Sequence, residues 1–478
     1  MTELNQNILN EQYNSQMTQK YEGKIKDASL SIMQDQEVKN FRFLEKFDIE
    51  ILKMRNIGMQ QIIKFRNMTV RELDLGKQIE EYEHQYRLNL NVDDLELENL
   101  QVLKLQYNNL VNDQLLNLVK FKKLHSLNVS FNNVDLTHIF SVTSLTKLYM
   151  RECGLQNIDQ ISSLVNLQEL DLSTNRNINL TPVYNIKGLI NLNISDCNLC
   201  QIDQIGQLTN LEVLNLSNNK GVDLTPVCKL KSLTKLSLRH CDLKNIGQII
   251  FLTNLEVLDI SSNKINITPL NSLVGLIQLD LSMCGLTQLR ALKPLINLQN
   301  LKLSFNYFIN ITELQYLKNI THLNLFCCNL VSIYVLRPLV NVENLEISNN
   351  NNIVYLDVNP NNMQKLQIFA AGQNRISDFS SIIKHKNYNN LDQKGMRCFD
   401  ISNQDYPHEE ELSLADKMRF IERPNIQLKE IQSVHQFLKT SFNNFQKQIN
   451  SVINSQNHIQ FTSSVAHLFE KLTQVISQ

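Results

Sequence analysis

The sequence predicts an α/β fold, a solenoid with a curved parallel β-sheet, short helical or 3-10 segments on the convex side, and an added C-terminal α-helical region. A leucine pattern returns about every 22 residues through the middle of the chain. Within each copy, leucines alternate with polar residues as in a short strand, and a polar turn follows. The 478 residues are therefore one repeat array with a tail rather than several ordinary domains.

The repeated unit is L-x-x-L-x-L-x-x-N/C-x-L. Thirteen copies begin at Leu100, Leu124, Leu145, Leu167, Leu189, Leu211, Leu233, Leu255, Leu276, Leu298, Ile320, Val342 and Leu366. One copy cannot bury its leucines alone, but copies stacked as parallel strands form a continuous core. At about 4.8 Å per strand, the array gives a face on the order of 60 Å long.

This pattern resembles the leucine-rich-repeat family. Its spacing is most similar to the 22-residue class found in bacterial internalins and in an intracellular regulatory subunit of protein phosphatase 1. Weaker copies at Leu30, Leu52 and Leu73 continue the same step upstream.

The repeat boundaries divide the chain into five predicted segments. These are an N-terminal helical cap or flexible segment (1–26), degenerate repeats (27–99), the leucine-rich-repeat solenoid (100–376), a C-terminal cap (377–406) and a helical tail (407–478). The cap would cover the exposed end of the core. Apolar residues in the tail follow steps of three and four, which fits either a coiled coil or a helical hairpin.

A doublet of about 44 residues overlies the 22-residue repeat, because the N/C position alternates. The resemblance implies that this position turns inward, where asparagine bonds the backbone of the turn and the small cysteine fills the same place. The predicted structural ladder comprises Asn132, Cys153, Asn175, Cys197, Asn219, Cys241, Asn263, Cys284, Asn306 and Cys328.

Reactive chemistry is disfavoured at these cysteines. Equivalent positions two repeats apart lie about 9.6 Å from each other. A disulfide needs Cα atoms within about 7 Å, and zinc holds its thiolates at about 2.3 Å. We therefore expect no disulfide and no metal site in the ladder.

The convex side shows another regularity, in which Thr-Pro pairs at 181–182, 225–226 and 268–269 predict threonine as N-cap and proline as first helical residue.

Composition and motifs exclude several function classes. The 46 basic and 47 acidic residues create no global field, so neither nucleic acid nor a membrane is an expected partner. There is no phosphate-binding loop and no HExxH pair, so we expect no cofactor and no catalysis. The polar start MTELNQNILN does not resemble a secretory signal, which predicts a cytoplasmic protein.

Binding to a protein through the concave face is the predicted function. Aromatic, basic and acidic residues at outward positions are the expected contacts: Tyr149, Arg151, Asp171, Arg239, His240, Asp259, Asp280, Phe305, His322 and Phe326. Two alternatives remain open. One is a regulatory subunit of a protein phosphatase, and the other is a structural or cytoskeletal assembly protein that self-associates through 426–478.

Overall fold

The structure is a computed structural model, and it describes part of the chain. The described residues are 2–3, 27–31, 49–55, 65–66, 68–77, 88, 90–133, 135, 137–199, 201–354, 356, 363–376 and 399–400. They comprise short strands, 3-10 helices and the turns between them.

The described residues contain twenty strands, which follow one another along the chain. They are β1 (Thr2–Glu3), β2 (Asp27–Ser31), β3 (Ile51–Arg55), β4 (Phe65–Arg66), β5 (Glu72–Asp74), β6 (Leu95–Glu96), β7 (Val102–Lys104), β8 (Ser126–Asn128), β9 (Lys147–Tyr149), β10 (Glu169–Asp171), β11 (Asn191–Asn193), β12 (Val213–Asn215), β13 (Lys235–Ser237), β14 (Val257–Asp259), β15 (Gln278–Asp280), β16 (Asn300–Lys302), β17 (His322–Asn324), β18 (Asn344–Glu346), β19 (Ile368–Ala370) and β20 (Phe399–Asp400). Eighteen of them form one parallel sheet, and β4 pairs with β6 in a second sheet.

The register of the sheet follows the repeat. Each strand from β7 to β19 pairs in parallel with the strand of the next copy, so that Leu170 of β10 lies opposite Leu148 and Leu192. These central leucines are buried, whereas the residues on either side of them face solvent. The predicted solenoid of parallel strands is confirmed, and its core is the stack of inward leucines. The sheet also includes β2, β3 and β5, which contain Leu30, Leu52 and Leu73.

The segments that return to the next strand contain 3-10 helices. Their bounds are Val92–Asp94, Asn112–Leu115, Leu118–Lys120, Thr137–Ser141, Asp159–Ser163, Val183–Asn185, Ile205–Gln207, Val227–Lys229, Gly247–Phe251, Thr268–Ser272, Arg290–Leu292, Thr312–Tyr316 and Tyr334–Leu336. Repeats of 22 residues leave room for one such turn, because the strand and its two bends take most of the copy. The short helical convex side is thereby confirmed.

The predicted threonine N-caps are wrong. In the repeat after β12, the carboxylate of Asp223 accepts hydrogen bonds from the Thr225 N–H at 2.9 Å and from the Thr225 hydroxyl at 2.8 Å. Asn179 accepts the Thr181 N–H at 3.1 Å in the same way. The turn is therefore made by Asp or Asn two residues before the threonine and three before the proline, because its short side chain can reach the threonine N–H. These bonds hold the pKa of Asp223 below its ordinary value.

A second asparagine ladder, which the sequence analysis missed, lies on the edge where the chain enters each strand. Six exposed asparagines each donate from Nδ2 to a backbone carbonyl of the preceding repeat, at 2.9 to 3.1 Å: Asn166, Asn210, Asn254, Asn297, Asn319 and Asn341. The signal in the sequence is asparagine directly before the first leucine of the copy. These bonds tie neighbouring repeats together outside the core.

Several predictions fall mostly or wholly outside the described residues. They are the N-terminal cap (1–26) apart from β1, the C-terminal cap (377–406) apart from β20, and the helical tail (407–478) with its self-association segment (426–478). They remain predictions. No helix in the described part of the chain is long and apolar enough to cross a bilayer.

Candidate functional site

The asparagines of the ladder bond the backbone of two successive repeats. Asn219 is fully buried, and its Nδ2 donates to the carbonyls of Ile194 at 2.8 Å and Leu216 at 2.9 Å. Its Oδ1 accepts the N–H groups of Cys197 at 3.1 Å and Leu199 at 3.0 Å. One side-chain amide thus provides hydrogen-bond partners for two buried backbone N–H groups and two buried carbonyls. Burying these groups without partners would lower the stability of the fold.

The cysteines of the ladder occupy the same inward position with fewer bonds. Cys241 is fully buried, and its Sγ donates weakly to the carbonyl of Leu216 at 3.3 Å. Burial raises the pKa of its thiol to about 11, and the other four cysteines of the ladder have the same shift with the same first cause. Such thiols stay protonated at neutral pH and are poor nucleophiles and poor metal ligands.

The cysteines that the structure describes are all free thiols. Within the same part of the chain, no group of three or more His, Cys, Asp or Glu side chains is arranged to bind a metal ion. The ladder positions therefore serve the interior of the solenoid.

The alternation of asparagine and cysteine has a physical basis in the turns. A thiol offers no counterpart to the amide oxygen, so the N–H groups of Asn177 and Gly221 donate instead to the backbone carbonyls of Cys197 and Cys241, at 2.9 and 2.8 Å. Both donors have positive φ. The residue after each ladder cysteine also has positive φ, and it is always Gly, Asn or Asp: Gly154, Asn198, Asp242, Gly285 and Asn329. These types tolerate the left-handed region best.

Burial leads to a prediction for thiol reactivity at pH 8. A pKa raised from 9.0 to about 11 lowers the thiolate fraction of a ladder cysteine by about a hundredfold, in addition to blocking access. We expect iodoacetamide to modify the partly exposed Cys228 and Cys327 before Cys241 and the other ladder cysteines. Peptide mass spectrometry over a time course measures the order. In urea all of them should react alike, and rapid labelling of Cys241 in the native protein would contradict its placement in the ladder.

The ten predicted contact residues all lie on the solvent-facing side of the sheet or at its margin. Four are exposed and sit in the turn directly after a strand: Arg151, Arg239, His240 and Phe305. Six are half-buried, in strands or, for Phe326, in such a turn: Tyr149, Asp171, Asp259, Asp280, His322 and Phe326. His240 and Phe305 have positive φ, which turns them away from the neighbouring strand positions.

The structure brings Phe305 and Phe326 together. Their ring centroids are 5.2 Å apart with an interplanar angle of 68°, a favourable edge-to-face arrangement. The exposed Met283 holds the equivalent position one repeat earlier, so an apolar group forms at this margin. We call Phe305, Phe326 and Met283 the C-terminal aromatic cluster.

A second cluster, nearer the N-terminal end of the sheet, was largely missed. Tyr107 and Phe131 stack with centroids 3.9 Å apart, and the Arg151 guanidinium lies 5.3 Å from the Phe131 centroid. Phe131 precedes the ladder residue Asn132, and Tyr107 precedes Asn108, which bonds buried carbonyls in the same way. This position could have been recognised as outward. Tyr107, Phe131 and Arg151, with the nearby Tyr149, form the N-terminal aromatic cluster.

Polar side chains cover the sheet between the two clusters, and many bond each other. The Tyr149 hydroxyl donates to Glu169 at 2.7 Å, and the hydroxyls of Ser217 and Ser237 are 2.7 Å apart. The residue after the third leucine of the repeat is serine in six of the seven copies from β10 to β16, and Arg239 replaces it once. Four of these serines, Ser173, Ser217, Ser261 and Ser304, are buried. The long side chain of Arg239 therefore projects beyond the serines in the equivalent positions, and it makes no ion pair among the described residues.

Comparison with known proteins supports the fold. No family model and no curated protein matches the chain. Among solved structures, an internalin from Listeria monocytogenes is 23% identical with a TM-score of 0.52, covering 65% of this chain and 86% of that one. The functional domain of InlJ from the same organism, which includes a cysteine ladder, is 21% identical with a TM-score of 0.42 and covers 59% of this chain and 70% of its own. A leucine-rich-repeat protein of Leptospira interrogans is 22% identical with a TM-score of 0.42 and covers 70% and 100%. At these identities the likeness concerns the fold alone.

Proposed function

We propose that this chain, which has the fold of leucine-rich-repeat proteins, is a non-catalytic scaffold that binds a protein partner along its concave face. One observation carries the proposal: two aromatic clusters lie at the two ends of a stretch of the concave face that is covered by polar side chains. Between Phe131 after β8 and Phe305 after β16 there are eight strand steps, or about 38 Å at 4.8 Å each. That length suits a protein surface rather than a small molecule.

The energetics favour the clusters as the principal contacts. Aromatic and arginine side chains contribute most of the binding energy in protein interfaces, whereas short polar side chains contribute little individually. The rings of Phe305 and Phe326 already hold each other in place, and so do those of Tyr107 and Phe131. A rigid, preformed surface avoids much of the entropy cost of ordering loops on binding.

The charges between the clusters favour a partner of mixed charge. Asp171 accepts a hydrogen bond from Asn193, and Asp259 accepts bonds from the N–H and hydroxyl of Ser261, so both carboxylates are held in fixed positions. The basic Lys235 and Arg239 lie on β13 and just after it, between those carboxylates. Such an arrangement sets the orientation of a partner more than its affinity.

A triple substitution tests the concave face. Tyr149→Ala/Arg239→Ala/Phe326→Ala removes one aromatic contact at each end and the cation between them. We expect the amount of the specific partner recovered by affinity purification and mass spectrometry to fall by at least about tenfold, since each such residue commonly contributes more than 1 kcal/mol.

The matched control carries the same three residue types on the convex side. Tyr316→Ala/Arg290→Ala/Phe251→Ala replaces exposed residues of three 3-10 helices and should leave the partner bound. Circular dichroism verifies that both variants are folded. Equal recovery of the partner by both variants would show that the concave face is not the binding surface.

A further inference from the structure

A cleft of about 400 Å³ opens outside the concave face, on the edge where the chain leaves β16 and β17. Its rim consists of apolar side chains that are largely exposed: Tyr307 (51%), Phe308 (79%), Val331 (70%) and Tyr334 (57%). Its base contains Ile309, Ile311 and Leu330, which are buried. Apolar side chains clustered in solvent around a concavity mark an interaction site more often than chance exposure.

The repeats themselves provide the comparison that makes this cleft unusual. The position of Tyr307 is held by Arg176 and Lys220 in the two preceding asparagine repeats of the same length. The position of Phe308 is held there by Asn177 and Gly221. In these two repeats, the positions equivalent to Tyr307 and Phe308 are thus polar or small, as is usual for side chains exposed to solvent.

The cysteine repeats show the same contrast on the other wall. The position of Val331 is Gln156, Cys200, Lys244 or Thr287 in the other cysteine repeats, and that of Tyr334 is Asp159, Asp203, Gly247 or Arg290. All four rim positions therefore become apolar in one doublet, around one cavity. The architecture of the repeat does not explain this change, because the other doublets fold without it.

The polar groups of the cleft already have partners. Asn310 accepts the N–H and hydroxyl of Thr312 at 2.9 and 2.6 Å. Asn329 accepts a bond from Asn352 at 2.7 Å, and the Ser332 hydroxyl accepts the Tyr334 N–H at 3.3 Å. No charged side chain belongs to the lining. The cleft thus combines an apolar rim with polar groups that are bonded within the protein, and its lining offers no charge to an ionic ligand.

The apolar surface runs from the cleft to the concave face. Phe305 lies two residues before Tyr307, and its ring contacts that of Phe326. Cys328, two residues after Phe326, belongs to the lining of the cleft. A protein that covers the C-terminal aromatic cluster therefore passes directly beside the cleft.

We infer that the cleft receives an aromatic or large aliphatic side chain of the protein that lies on the concave face. The side chain inserts between Tyr307 and Phe308 on one wall and Val331 and Tyr334 on the other. The identity of this occupant rests on the proposed function, because the continuity with Phe305 and Phe326 selects the same partner. The apolar character of the cleft does not depend on it.

A tryptophan probe tests the cleft, because the chain contains no tryptophan and all indole emission comes from the probe. N-acetyl-L-tryptophanamide added to the full chain should show a saturable blue shift with millimolar affinity. Tyr307→Ser/Val331→Gln should weaken this binding by at least about tenfold, as loss of two apolar contacts predicts. Phe308→Ser is the second variant; because the Phe308 side chain is 79% exposed, this substitution should weaken probe binding while leaving the fold intact.

The matched control changes the equivalent residues two doublets earlier in the chain. Lys220→Ser/Lys244→Gln should leave the affinity for the probe unchanged. Absence of saturation up to about 10 mM, a value above the millimolar range expected for one side chain, would overturn the inference. Equal binding by the wild type and the Tyr307→Ser/Val331→Gln variant would do the same.

Two further results separate this inference from the proposed function. Decanoate that displaces the probe and binds more tightly would identify a lipid-type ligand and overturn the side-chain assignment. Tyr149→Ala/Arg239→Ala leaves the cleft intact, so it should lose the partner while retaining the probe. Retention of both would refute the concave-face proposal and with it the identity of the occupant, whereas absence of probe binding to the wild type would refute the cleft alone.

Discussion

Replacing Asn219 with alanine is expected to lower the free energy of unfolding by about 3 kcal/mol or more. The substitution leaves the N–H groups of Cys197 and Leu199 without the Oδ1 acceptor and the carbonyls of Ile194 and Leu216 without the Nδ2 donor. Each buried polar group without a partner costs about 1–3 kcal/mol, and the site is too enclosed for water to replace the amide freely.

Urea unfolding followed by circular dichroism measures the loss, and amide exchange at Cys197 and Leu199 locates it. Local measurement matters because repeat arrays unfold in parts, so that one global value can conceal a local opening.

Two comparison variants show whether the ladder is the cause. Cys241→Ala removes a single weak thiol donor and should cost only about 1 kcal/mol. Asn210→Ala removes one exposed bond to the carbonyl of Lys187 and should cost less than about 1 kcal/mol. If Asn219→Ala proved no more destabilising than Asn210→Ala, the buried ladder would not carry the stability assigned to it.

Leu214→Ala is expected to have the second large effect, about 2–5 kcal/mol. Leu214 is the central residue of β12, is 1% exposed, and lies between Leu192 and Leu236 of the adjoining strands. Truncation removes apolar contacts with both neighbouring repeats and leaves a cavity that the close-packed stack cannot fill without moving strands. Thermal and urea unfolding give the magnitude.

The control is the residue beside it. Val213→Ala alters a half-exposed side chain on the other face of the same strand and should cost less than about 1 kcal/mol, since little apolar surface is uncovered. A cost for Val213→Ala equal to that for Leu214→Ala would contradict the alternation of inward and outward residues. The same alternation defines the concave face, so this pair of variants also tests the surface on which binding is proposed.

Much of the fold could be predicted because the residue pattern within each copy specifies the local structure of that copy. Leucines two residues apart specify a strand with one buried side, and their return after about 22 residues specifies the parallel neighbour. The inward position of Cys241 followed from its equivalence with Asn219. The prediction of threonine as N-cap was wrong because the side chains of Asp223 and Thr225 can both bond the backbone of a turn. The path of the backbone decides which of the two side chains reaches the N–H group.

The candidate surface could be predicted only in part. Arg239 and Phe326 were recognised as outward from the strand alternation. The stacking of Tyr107 on Phe131 was missed, since these residues lie 24 positions apart and the contact depends on how the turns superpose. The cleft at Tyr307 was missed for the same reason, because its second wall belongs to the next repeat.

By itself, the sequence determined the solenoid, the parallel register and the inward ladder, because these properties depend on spacing within one copy and recur along the chain. The tertiary structure decided which outward side chains form groups: Phe305 with Phe326, Tyr107 with Phe131, and Tyr307 with the far wall of its cleft. Those contacts cross between repeats. Their distances are set by the stacking and turning of whole copies, which a linear pattern does not encode.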